Sequence, residues 1–160
     1  MRRAGIVVLL MVGCVAVGCR KSKSYTAPDG TRATVTENGK GNQITIEGKD
    51  GAKVQVSGEG GLALPEGFPS DVPVYPGSTV TMSMAAKDGM HVALKSADAP
   101  SKVAKFYTEK LKTSGWEIET TMNTEDGSMI SGKKGKRSVM AAANKDSGGA
   151  IVTLTVSKEE

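Results

Sequence analysis

The chain has 160 residues, 21 basic against 17 acidic, with one histidine, two cysteines and six aromatic residues. A lone histidine supplies no ligand set for zinc and leaves a Ser-His-Asp centre only His91 to turn on, with no nucleophile-elbow motif beside it. The scattered aromatics, Tyr25, Phe68, Tyr75, Phe106, Tyr107 and Trp116, make no stacking platform, so no nucleic-acid partner is expected.

Met1-Arg2-Arg3 is followed by the uncharged run Ala4 to Val17. A basic start and a short apolar core describe a secretory signal, and the run falls short of the roughly 20 residues that span a bilayer as a helix. Its end, Ala16-Val17-Gly18-Cys19, resembles the lipobox of bacterial lipoproteins, with Ala16 where leucine is usual; Met11-Val12-Gly13-Cys14 is a poorer second match. The alternative is an ordinary secretory peptide with Cys19 unmodified.

The lipobox resemblance implies that residues 1–18 leave as a signal peptide and that Cys19 carries the lipid. Cys14 would leave with the signal, removing disulfide, thiol nucleophile and cysteine metal ligand from the mature chain. Several acyl chains anchor stably where one does not. Arg20, Lys21 and Lys23 follow at once, each worth about 1 kcal/mol on anionic headgroups. By the sorting rule of enteric lipoproteins, Arg20 rather than Asp after the cysteine implies an outer-membrane location facing the periplasm. The mature charge is then near neutral, with 19 basic residues against 17 acidic.

Residues 19–28 read as a lipid-anchored tether. Residues 29–57 alternate apolar and polar in three short runs, with Ala33 and Val35, Ile44 and Ile46, Val54 and Val56 on one side. Asp29-Gly30, Asn38-Gly39 and Asp50-Gly51 punctuate them, which predicts a small β meander. Its apolar face is too thin to stand alone. Residues 58–78 hold four of the six prolines and predict an extended connector.

Residues 79–160 predict a domain of order ββαββββ. Val80, Met82 and Met84 alternate, Lys87-Asp88-Gly89 turns the chain, and Met90, Val92 and Leu94 alternate again. A helix is expected to start at Ser96 or Asp98, with Pro100 in its first turn, Val103, Phe106, Tyr107 and Leu111 on one face, and Gly115 after its end. Four strand-like runs follow, from Trp116, around Ile130, from Ser138 and from Ala150. The simplest arrangement is α+β: an antiparallel sheet with one amphipathic helix packed across it, preceded by the meander, with Phe106, Leu111 and Trp116 as the largest core residues.

The segments DVPVYPG and FYTEKLKTSGW, through Pro73, Tyr75, Pro76, Gly77, Phe106, Tyr107, Leu111, Gly115 and Trp116, resemble a pattern in secreted proteins and lipoproteins of bacteria. That resemblance implies fold and localisation, and attaches no activity.

Met82, Met84 and His91 are the sharpest chemical candidate, because thioether and imidazole suit Cu(I). Strand register decides between site and core. A two-residue Asp88-Gly89 turn puts the three on one face but separates Met82 and Met84 from Val92 and Leu94. A loop one residue longer aligns Met82 and Met84 with Met90, Val92 and Leu94 and turns His91 to solvent. Agreement of apolar faces favours the second, and methionine then fills core. The run Lys133-Lys134-Gly135-Lys136-Arg137 reads as a solvated turn, and the Asp-Gly turns lack calcium-loop spacing. The expected protein is a non-catalytic binding or accessory protein without cofactor, tied to membrane lipid through Cys19 and engaging an envelope partner. The alternative is a periplasmic Cu(I)-binding protein using Met82, Met84 and His91.

Overall fold

Ten strands join one antiparallel sheet in the computed structural model, which describes residues 21–38, 41–58 and 61–158. The expected signal peptide and Cys19 lie outside those residues. In chain order the strands are β1 (Lys21–Thr26), β2 (Arg32–Asn38), β3 (Gly41–Glu47), β4 (Lys53–Ser57), β5 (Thr79–Ala86) and β6 (Gly89–Ser96). Helix α1 (Pro100–Thr113) follows, then β7 (Glu117–Asn123), β8 (Gly127–Lys134), β9 (Arg137–Asp146) and β10 (Gly149–Lys158). Across the sheet the order is β1-β2-β3-β4-β5-β6-β10-β9-β8-β7.

This corrects the expected fold class. The molecule is not a small α+β sandwich with a meander in front of it. Among the described residues it is a mostly β protein in which the meander extends the same sheet, and its single helix covers only part of that sheet. The join is β4 against β5, with Val54 opposite Met84 and Val56 opposite Met82. Without it β5 would present a bare edge of unpaired N–H and C=O groups. The expected tether also shortens, because Lys21–Thr26 pair with β2 from Lys21 opposite Glu37 to Thr26 opposite Arg32.

Helix α1 lies against β7, β8, β9 and β10. Beneath it Val92, Leu94, Val152, Leu154, Val139 and Ile130 are buried with Val103, Tyr107 and Leu111 of the helix. Tyr107 takes the central place expected of Phe106, which is only partly buried. The helix starts later than predicted. Its N-cap is Ala99, which makes no side-chain capping bond. The Asp98 carboxylate is occupied elsewhere, accepting from Tyr75 Oη at 2.8 Å and Lys102 Nζ at 2.8 Å. Gly115 ends the helix at φ +81°, letting Trp116 N–H donate to Leu111 O at 3.0 Å. Among the described residues no helix is long and apolar enough to cross a membrane.

Candidate functional site

The connector reaches the sheet through three residues of DVPVYPG. Val72 and Tyr75 are buried, the Tyr75 ring meeting Phe106 edge-on at 5.0 Å. The Asp71 carboxylate accepts from Arg137 Nη1 at 2.9 Å, Arg137 Nη2 at 2.6 Å and Lys134 Nζ at 2.8 Å. Trp116 Nε1–H donates to the Asp71 carbonyl at 3.0 Å, and the Arg137 guanidinium lies 5.0 Å from the Trp116 ring centre. Hydrogen bonds from Arg137, helped by Lys134, hold the Asp71 carboxyl well below the usual carboxylate range. Two cations of the basic run are therefore bound within the protein, where a solvated turn was expected. The reason is tertiary: their partner stands more than sixty residues earlier in the chain.

At the other end of α1 the helix lifts off the sheet, leaving a cleft of about 780 Å³. Ala99, Pro100, Ala104 and Thr108 form its helix wall, and Thr121, Thr124 and Ser128 the sheet wall, while Lys105, Glu109, Lys145 and Asp146 stand on its rim. The sheet wall is shaped by a tight turn: Thr124 N–H and Oγ1–H both donate to Gly127 O, at 2.8 and 3.1 Å. Glycine at 127 eases the approach of β8 to β9, since a Cβ there would lie 3.0 Å from the Ala143 carbonyl oxygen. Ser128 Oγ–H spans the gap to Pro100 O at 3.4 Å and so fixes the distance between the walls. Such a space, with Ala99, Pro100 and Ala104 as apolar surface on the helix wall and the hydroxyls of Thr121, Thr124 and Ser128 on the sheet wall, has room for a small molecule. Sequence reasoning missed it because its residues come from three separate stretches, 97–109, 121–128 and 145–149, none with a motif.

Met82, Met84 and His91 lie elsewhere, on the sheet face away from α1. The expected register is corrected here. The loop is Lys87-Asp88, Ala86 pairs with Gly89, Met84 stands opposite His91 and Met82 opposite Ala93. Val92 and Leu94 point to the helix side and are fully buried, while Met82, Met84 and His91 are half-buried on the open side. Two physical facts defeated the apolar-agreement argument. A bulge at Thr81, whose hydroxyl donates to Ala93 O at 3.3 Å, leaves Val80 facing the core opposite Leu94 but turns Met82 and Met84 outward. Gly89, taken as a turn residue, belongs to β6: a Cβ there would sit 2.5 Å from the Val156 carbonyl oxygen of β10.

A family model described as START domain-like matches residues 78–158, just over half of the chain. No curated protein matches, and no solved structure does.

Proposed function

The chain belongs to the START domain-like family, and from that premise we propose that it is a non-catalytic binding protein whose ligand occupies the cleft between α1 and the sheet. One observation carries this reading: every residue lining the cleft, from Ala97 to Gly149, lies inside the family-matched segment. The ligand is small or slender, with an apolar body for Ala99, Pro100 and Ala104 and a polar end for the charged rim. The protein is held on the bacterial envelope by lipid on Cys19, at the outer membrane facing the periplasm. Because β1 starts at Lys21, the sheet then stands directly at the bilayer surface.

Both parts have tests. Native mass spectrometry of protein purified without denaturation is expected to find a bound small molecule, and Ser101→Trp, a change at an exposed position on the cleft wall, is expected to remove it. The same adduct on both proteins, or none on the wild type, overturns the cleft assignment. For the anchor, Cys19→Ser is expected to abolish radioactive palmitate labelling and release the chain from membranes; unchanged labelling overturns it.

A further inference from the structure

The face of the sheet away from α1 carries Met82, Met84, Met122, Met129 and Met140, five of the six methionines among the described residues, together with the protein's one histidine. The binding reading above uses none of them. Met84 and His91 occupy directly opposed positions on β5 and β6. Side chains so placed have Cβ atoms about 5 Å apart on one face, and the diagonal neighbour stands about 7–8 Å away. Met82 is that neighbour. The position between Met82 and the next strand is Ala93, whose single methyl leaves the longer thioether room to lean toward the imidazole.

The ring of His91 is already oriented. Its Nδ1 lies 3.0 Å from Thr155 Oγ1 of β10. In the tautomer where Nδ1–H donates to that hydroxyl, Nε2 carries the free lone pair, the arrangement by which outer partners of metal-binding histidines fix ring and tautomer. The surroundings are uncharged: Val54 and Val56 flank the methionines on β4, and Ala93, Thr153 and Thr155 flank the histidine. No carboxylate stands among these neighbours to favour a hard divalent ion.

The geometry points to a Cu(I) site on the open face of the sheet, with Met84 Sδ and His91 Nε2 as opposed ligands and Met82 Sδ as the third. Neutral, soft donors in an apolar setting select a soft monovalent cation, whereas Zn(II), Mg(II) and Ca(II) want thiolate, carboxylate or several imidazoles. The site is independent of both the cleft and the lipid anchor. Thr155 is its positioning residue.

The test uses the full chain carrying Cys14→Ser and Cys19→Ser, so that no thiolate competes. Cu(I), added anaerobically as its acetonitrile complex against bicinchoninate, is expected to bind at one ion per chain, with X-ray absorption showing sulfur and nitrogen scatterers. Met84→Leu and His91→Asn are each expected to weaken binding at least about tenfold, and Thr155→Val by a similar factor through loss of ring orientation. Met122→Leu and Met129→Leu, on the same face but on β7 and β8, away from His91, are expected to leave it unchanged. Leucine preserves apolar volume, so Met84→Leu remains folded, as circular dichroism will show. No competition with bicinchoninate, full affinity in Met84→Leu, or equal losses in the control methionines overturns the assignment, the last marking a general apolar docking face.

Discussion

The two halves of the sheet carry their apolar residues on opposite faces. A row of directly opposed residues on the helix side runs Ser24, Thr34, Thr45, Gln55 and Ser83 through β1 to β5, and then Val92, Leu154, Ala141 and Ile130 through β6, β10, β9 and β8. The row is polar to Ser83 and apolar beyond it. The adjacent row, on the open side, runs Tyr25, Ala33, Ile46, Val54 and Met84, then His91, Thr155, Met140 and Ser131, and changes in the other direction. One sheet is continuous in hydrogen bonding and inverted in polarity. Its C-terminal half is held by ladder and burial together, while its N-terminal half rests largely on the ladder, with Ile44 and Ile46 at 41% and Val56 at 42% exposure.

The largest effect that separates the halves comes from truncating matched side chains. Leu154 is fully buried, so Leu154→Ala is expected to cost about 3 kcal/mol, from lost transfer and the cavity left behind. Ile46→Ala, removing comparable apolar bulk from a 41% exposed position, is expected to cost below about 1 kcal/mol. Urea unfolding of the two variants measures both. Equal costs would mean that the open face is covered in solution, and the comparison would fail.

That inversion also explains what was legible. Local signals located the runs that form β2 to β10, though not β1, and Pro100 and Gly115 bracketed the helix. The architecture was not local. Nothing within Val54 to Val56 says that Met82 and Met84 will be its neighbours, and the bulge at Thr81 reverses the facing of β5 without disturbing its alternation in sequence. The same holds for the site. Asp71, Lys134, Arg137 and Trp116 converge only when the connector docks, and the cleft appears only where α1 diverges from β7 and β8. Trp116 is buried in the core as its place after the helix led one to expect, and Tyr75 of the connector joins it there.

The second effect is that of the clasp which ties the connector to the covered half. Asp71→Asn removes the charge that pairs with Arg137 and Lys134, at an expected cost of about 2 kcal/mol at neutral pH, given that these groups are partly exposed. The pH dependence has a definite sign. A carboxyl whose folded pKa is depressed stabilises fully above its unfolded value, 3.8, and loses that contribution as pH falls below it toward the folded value. The gap between wild type and Asp71→Asn, read from urea melts, is therefore expected to be constant from pH 7 to 5 and to close below pH 4. A gap unchanged at pH 3 would show that the clasp works through packing of Trp116 rather than through charge.

A smaller effect has the opposite sign. The Tyr107 side chain is fully buried and its hydroxyl makes no well-formed hydrogen bond among the described residues, with only the Tyr75 backbone near it, while burial pushes its pKa well above the ordinary tyrosine value. An unpaired buried hydroxyl costs about 1–3 kcal/mol, so Tyr107→Phe is expected to raise stability by about 1 kcal/mol after the small void is counted. A loss of stability instead would place an ordered water on that oxygen.

The smallest expected effect sharpens the comparison most, because it asks whether the halves unfold together. Strands that rely on the ladder open locally at less than the global free energy, whereas strands under α1 exchange only on global opening. Leu154→Ala is therefore expected to lower amide protection in β9 and β10 by the full loss of stability, about 3 kcal/mol, while shifting β1 and β2 by less than about 0.3 kcal/mol. Hydrogen exchange followed by mass spectrometry resolves the two regions. If β1 and β2 lose protection as much as β10, the β4–β5 pairing couples the halves into one cooperative unit. The inverted polarity would then be a matter of surface alone, with no separate stability attached to it.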